Sequence, residues 1–138
     1  MKLKFFYFLV FCYCFVNNTS AQTTYYCDPV NGNNSNNGSQ ANPFSTFGSV
    51  NWASKNLQDN DIIYLLDGNH GEAYLGNQQF STNLLIKSVN NQQAVITKIQ
   101  VNNSSHIIFE DIKFDASLGS FSKDESIIVG NDDTNYIT

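Results

Sequence analysis

The sequence contains no arginine: its 7 basic residues are all lysines, set against 12 acids for a formal net charge of −5. Without a guanidinium there is no bidentate reader of bases or phosphates, and a surface of this sign repels polyphosphate, so nucleic acid is excluded as a partner. Histidine is almost as scarce. His70 and His106 sit in different segments, and neither Gly-x-Ser-x-Gly nor His-x-x-x-His occurs, so the signatures of a serine hydrolase and of a zinc enzyme are missing. The one long apolar run, residues 5–16, is too short to cross comfortably about 30 Å of hydrocarbon, where roughly 20 residues are needed. No transmembrane segment is expected after it.

That run instead reads as the core of a secretory signal over residues 1–21. Lys2 and Lys4 supply the positive start, and Thr19-Ser20-Ala21 offers small residues for cleavage before Gln22. An uncleaved N-terminal anchor is the competing reading. Export predicts a secreted, extracellular protein with five lysines against 12 acids, a net charge of −7. Such a charge slows approach to an acidic polysaccharide unless calcium or local lysines offset it, so charge alone does not choose a glycan. Cleavage also removes Cys12 and Cys14 and leaves Cys27 alone. One thiol cannot staple a domain internally; it packs as a small hydrophobe, pairs with another chain, or stays free.

The exported part divides at about residue 60. Residues 22–60 hold a strand-like Thr-Tyr-Tyr-Cys, a polar run over 28–44 with Asn at 31, 33, 34, 36, 37 and 42, and a segment at 46–57 in which Phe47, Val50, Ala53 or Ser54, and Leu57 recur at helical spacing. The spacing predicts a short capping helix there. Residues 61–138 carry short β-branched or aromatic segments at 62–66, 84–89, 94–101, 107–109, 112–114, 127–129 and 136–138, separated by Asp-Gly and Asn-rich turns. Ile63, Ile86 and Phe109 are spaced 23 residues apart. A recurrence of that length predicts an all-β solenoid whose stacked coils share one core, with a β-sandwich as the rival.

At this point the residues carry a resemblance. Tyr-Tyr-Cys-Asp-Pro-Val-Asn-Gly-Asn-Asn-Ser-Asn-Asn-Gly-Ser-Gln-Ala-Asn-Pro-Phe-Ser-Thr-Phe at 25–47, followed by Asn-Asp-Ile-Ile-Tyr-Leu-Leu-Asp-Gly-Asn-His at 60–70, resembles the entry to secreted right-handed parallel β-helix proteins of the pectate-lyase-like superfamily. Departures are Cys27 where Val is usual, Asn34 for Asp, Asn60 and Ile62 for the Gly and Thr around Asp61, and His70 for a Tyr. The resemblance implies a right-handed parallel β-helix with an N-terminal capping helix, of which residues 61–138 form the first coils of an incomplete solenoid. It also implies engagement of an extracellular polysaccharide by a lyase-like or glycosidase-like protein, with calcium as a candidate cofactor. The alternative implied by the same family is a non-catalytic surface or adhesion protein. Catalytic residues are expected in later coils, so none is named here and this stretch is expected to be inactive alone.

Three groups of side chains merit placement. Lys87, Lys98 and Lys113 are strand-associated and read as outward residues of a solvated sheet or as bases. Glu110, Asp111 and Asp115 form an acidic cluster that reads as a soluble turn or as calcium ligands. Asp28, Asn31, Asn33 and Asn34 read as a metal-binding loop or as Asx side chains bonded to their own backbone. Asn-x-Ser/Thr occurs at Asn17, Asn18, Asn33, Asn37, Asn102 and Asn103, which marks candidate glycosylation sites in a host with that machinery.

Overall fold

The computed structural model describes residues 21–119 and the backbone of Ile127–Val129. The expected signal segment up to residue 20, with Asn17 and Asn18, and the expected strand at 136–138 lie outside the described residues. The fold is all-β. Its strands are β1 (Thr24–Cys27), β2 (Ile62–Leu65), β3 (Gly68–Asn69), β4 (Glu72–Gly76), β5 (Gln79–Ser88), β6 (Ala94–Ile96), β7 (Lys98–Asn102), β8 (Ser105–Glu110), β9 (Lys113–Phe114) and β10 (Ile127–Val129).

These strands form three sheets, ordered β1-β2-β5-β8, β10-β7-β4 and β3-β6-β9, with parallel pairing in every ladder. From β2 onward the chain visits the three sheets in turn and then begins again. Parallel ladders rule out the β-sandwich, which is built from antiparallel sheets. The 23-residue spacing is the register itself: Ile63 pairs with Ile86, and Ile86 with Phe109. All three side chains point into the core, as do Leu65, Leu75, Leu84, Ile96 and Ile99. A strand buried along one face alternates inward and outward residues, so equal spacing keeps like residues in one column.

The corners explain much of the asparagine. Asn77 and Asn103 both lie in the left-handed region, at φ 57° and 45°, where Asn is tolerated better than most residues. The Asn103 amide donates to Asn77 Oδ1 at 2.8 Å. At another corner the Asn90 amide donates to the Asp67 carboxylate at 2.9 Å. Each corner side chain thus bonds its counterpart one circuit away.

Two expectations are corrected. The single segment at 94–101 is two strands, because the chain turns at the buried Thr97 to pass from one sheet to the next. The capping helix at 46–57 is absent. Its place is taken by two single 3₁₀ turns, Phe47–Ser49 and Trp52–Ser54, separated by an extended Val50 at φ −85°, ψ 132°. The reason lies at Gly48, where a Cβ would sit 2.0 Å from the Glu72 carbonyl oxygen. Docking the backbone that closely against β4 binds Gly48 N–H to the His70 carbonyl at 2.9 Å and leaves no room for a continuous helix.

Of the expected stripe, Phe47, Val50 and Leu57 do turn inward while Ala53 and Ser54 are exposed, and Trp52, outside that spacing, takes the inward place in a plug. The four inward residues are buried together with Phe44. Trp52 meets Phe44 edge-on at 5.9 Å and lies 5.2 Å from Phe47, and its indole N–H donates to the Phe47 carbonyl at 2.9 Å. Lys55 sets its ammonium 4.4 Å from the centre of the Phe44 ring. Cys27 is fully buried in the same cluster, and burial pushes its thiol far above the ordinary range.

Candidate functional site

Of the two readings of the opening loop, metal ligands or Asx side chains bonded to their own backbone, the contacts match the second. Asp28 Oδ1 accepts the N–H groups of Val30 and Asn31 at 2.8 and 3.0 Å, and Oδ2 accepts the Asn31 amide. Burial pushes the Asp28 carboxyl upward, but those three bonds and the nearby His70 outweigh it and hold the group below its usual range. Asn34 spans to the plug, donating to Ser49 Oγ at 2.9 Å while its Oδ1 accepts Ser45 N–H at 3.1 Å. Asn33 and Asn37 each accept the N–H of the serine two residues on. The loop is a folded strap built from Asx turns.

Those last two contacts bear on the sequons. Asn33 and Asn37 are exposed, with the amide oxygen turned to the backbone. At Asn102 the sequon serine, Ser104, is buried and hydrogen-bonded to Gln78 N–H, and Asn103 is bonded to Asn77.

The acidic cluster is divided. Glu110 and Asp111 converge on Lys87, Glu110 in direct hydrogen bond and Asp111 at 3.6 Å. Asp115 turns away, accepting Ser117 Oγ–H and N–H and pairing with Lys113 at 2.9 Å. The Ser117 hydroxyl, helped by Lys113, holds the Asp115 carboxyl at about 2. Among the described residues no group of three His, Cys, Asp or Glu is placed to hold a metal ion.

The lysines fit the role of a base no better. The Glu110 hydrogen bond raises Lys87 above its ordinary value, whereas a general base at neutral pH needs the opposite shift. Lys98 stands opposite Glu72 in the β4–β7 ladder.

The surface that remains is the outward face of the four-stranded sheet. Because side chains alternate, β1, β2, β5 and β8 turn two rows outward: Thr24, Ile62, Leu85, Ile108, and Tyr26, Tyr64, Lys87, Glu110. The apolar members are half-buried. Tyr26 and Tyr64 stack at 5.3 Å with 27° between their planes. Along the first row runs an open groove of about 290 Å³, bordered by Gln22, Asn60, Asn83 and Glu110. The groove combines an apolar floor with bordering amide side chains, and the stacked tyrosine pair stands in the neighbouring row outside it.

Sequence reasoning named Lys87 and Glu110 but did not see them as neighbours of Tyr64. The signal was present, since Tyr64, Lys87 and Glu110 repeat at the spacing of Ile63, Ile86 and Phe109, displaced by one. It also missed Asp61, whose buried carboxylate accepts Thr23 N–H at 2.7 Å and Gln58 N–H at 2.8 Å and so ties β1 to the strand that follows the plug. No family model, curated protein or solved structure matches the chain.

Proposed function

We infer that the chain belongs to a secreted right-handed parallel β-helix of the pectate-lyase-like kind, and that its role is to engage an extracellular polysaccharide. The observation that carries this is the face formed by Tyr26, Tyr64, Ile62, Leu85 and Ile108, held in register by parallel ladders. Strands about 4.8 Å apart repeat their outward groups at a constant step, which suits a polymer of repeating rings. The visiting order of the three sheets supports the solenoid, and the general preference for right-handed connections between parallel strands supplies its hand. The signal-like residues 1–21 support export.

Binding is favoured over turnover in this stretch by what the carboxylates do. Asp28, Asp59, Asp61 and Asp67 are bonded to backbone or amide groups, and Glu110, Asp111 and Asp115 to lysines or Ser117. A glycosidase needs two carboxyl groups facing each other across one sugar. The non-catalytic surface or adhesion reading draws on the same observation. The test is retention of the full chain in gels cast with neutral and acidic polysaccharides, run beside assays for unsaturated uronate absorbance and reducing ends. Retention without product release is expected; passage through every polymer unretarded would overturn the reading.

A further inference from the structure

We propose that the outward face of the four-stranded sheet binds a neutral polysaccharide and discriminates against uronates. This rests on the carbohydrate reading above and adds the chemical class of the ligand. The argument begins with cations. A uronate needs an uncompensated positive group or a bound metal ion at its carboxylate, and burying an unpaired carboxylate against this face would be costly. Among the described residues the only lysine on the face is Lys87, and it already serves Glu110 and Asp111. That corner carries one positive and two negative groups. Lys113 is paired with Asp115, Lys55 lies over the Phe44 ring, and Lys98 is engaged as well.

What the face does offer matches an uncharged sugar. Ile62, Leu85 and Ile108 floor the groove, and the Tyr26–Tyr64 pair lies one row along the strands, roughly 6.6 Å away for two residues. The C–H face of a pyranose packs on such surfaces, while its hydroxyls need both donors and acceptors at the edge. Asn60 and Asn83 border the groove with exposed side-chain amides, which provide both. The Glu110 carboxylate adds an acceptor for a hydroxyl and repels a second carboxylate.

Affinity electrophoresis of the full chain tests this, with xylan and a mixed-linkage β-glucan as neutral polymers and polygalacturonate and alginate as acidic ones, the latter with and without calcium. Retardation by a neutral polymer is expected. Tyr64→Ala and Tyr26→Ala should each weaken it about tenfold, while Tyr74→Ala, exposed on a different sheet, should leave it unchanged. Circular dichroism of each variant separates lost binding from lost folding, and Leu85→Asn, a polar change on the groove floor, gives a second route to the same loss.

Stronger retardation by a uronate polymer would overturn the neutral-ligand proposal and leave the carbohydrate reading standing. Retardation by neutral glycan that survives Tyr64→Ala, Tyr26→Ala and Leu85→Asn in folded protein would overturn the site. No retardation by any polymer would overturn both.

Discussion

His70 needs one ring nitrogen bare. Its Nδ1 accepts the Phe47 N–H at 3.1 Å, so the proton sits on Nε2, which donates to the Leu66 carbonyl at 2.7 Å. The side chain is fully buried, and burial lowers its affinity for a proton. Protonation would turn the acceptor into a donor facing another donor. With the folded value below the unfolded one, near 6.5, the stability His70 contributes is present above about pH 6.5 and is lost as pH falls from there through the folded value. Denaturant titrations from pH 7.5 down to 5 should therefore show falling stability, and His70→Gln should be less stable at pH 7.5 yet flatter across that window. An unchanged slope in His70→Gln would show that another group is responsible.

At the scale of elements, the N-terminal plug is held by a few specific contacts. Gly48 has no room for a side chain beside the Glu72 carbonyl, so Gly48→Ala must push the Phe47–Ser49 turn off β4. The expected loss is about 2–3 kcal/mol, at the upper end of ordinary substitutions, seen as a lower denaturation midpoint. Asp61 accounts for the other end of the plug, where Asp61→Ala would strand the Thr23 and Gln58 N–H groups. Bonds to a carboxylate are worth roughly 1.5–3 kcal/mol. Hydrogen exchange should accelerate at Thr23 through Cys27 more than at β7 if Asp61 anchors β1 as the contacts indicate; equal acceleration would argue for a global effect.

For the whole molecule, the core is one column after another with no break between plug and sheets: Phe44, Phe47 and Trp52 belong to the same cluster as Ile86, Ile99 and Phe109. Elements that share one continuous core in a small domain unfold together. Ile86→Ala sits between Ile63 and Phe109 in the register and should cost about 2–5 kcal/mol. Trp52, the only tryptophan, reports the plug by fluorescence, while far-ultraviolet circular dichroism reports the sheets. Both midpoints should shift together in Ile86→Ala. Separate transitions would mean that the plug folds on its own.

The periodicity of the apolar residues determined the all-β character and the alignment of Ile63, Ile86 and Phe109, because in a parallel stack the residue spacing is the register. Composition likewise determined that no guanidinium is present to read phosphate or bases in bidentate fashion, since the sequence has no arginine. The local segment at 46–57 misled, because three-to-four spacing describes any chain that returns an apolar side chain to one surface, and only the approach of Gly48 to β4 decided between helix and paired turns. Whether Asp28 served a metal or its own backbone, and whether Glu110 stood beside Asp115 or Lys87, also waited on the tertiary structure. For Gly48 against Glu72 and Lys87 against Glu110 the choice depends on atoms that meet across 23 or more residues of chain, where sequence specifies neighbours only through the fold. For Asp28 it depends on the local turn that brings the Val30 and Asn31 N–H groups onto its carboxylate.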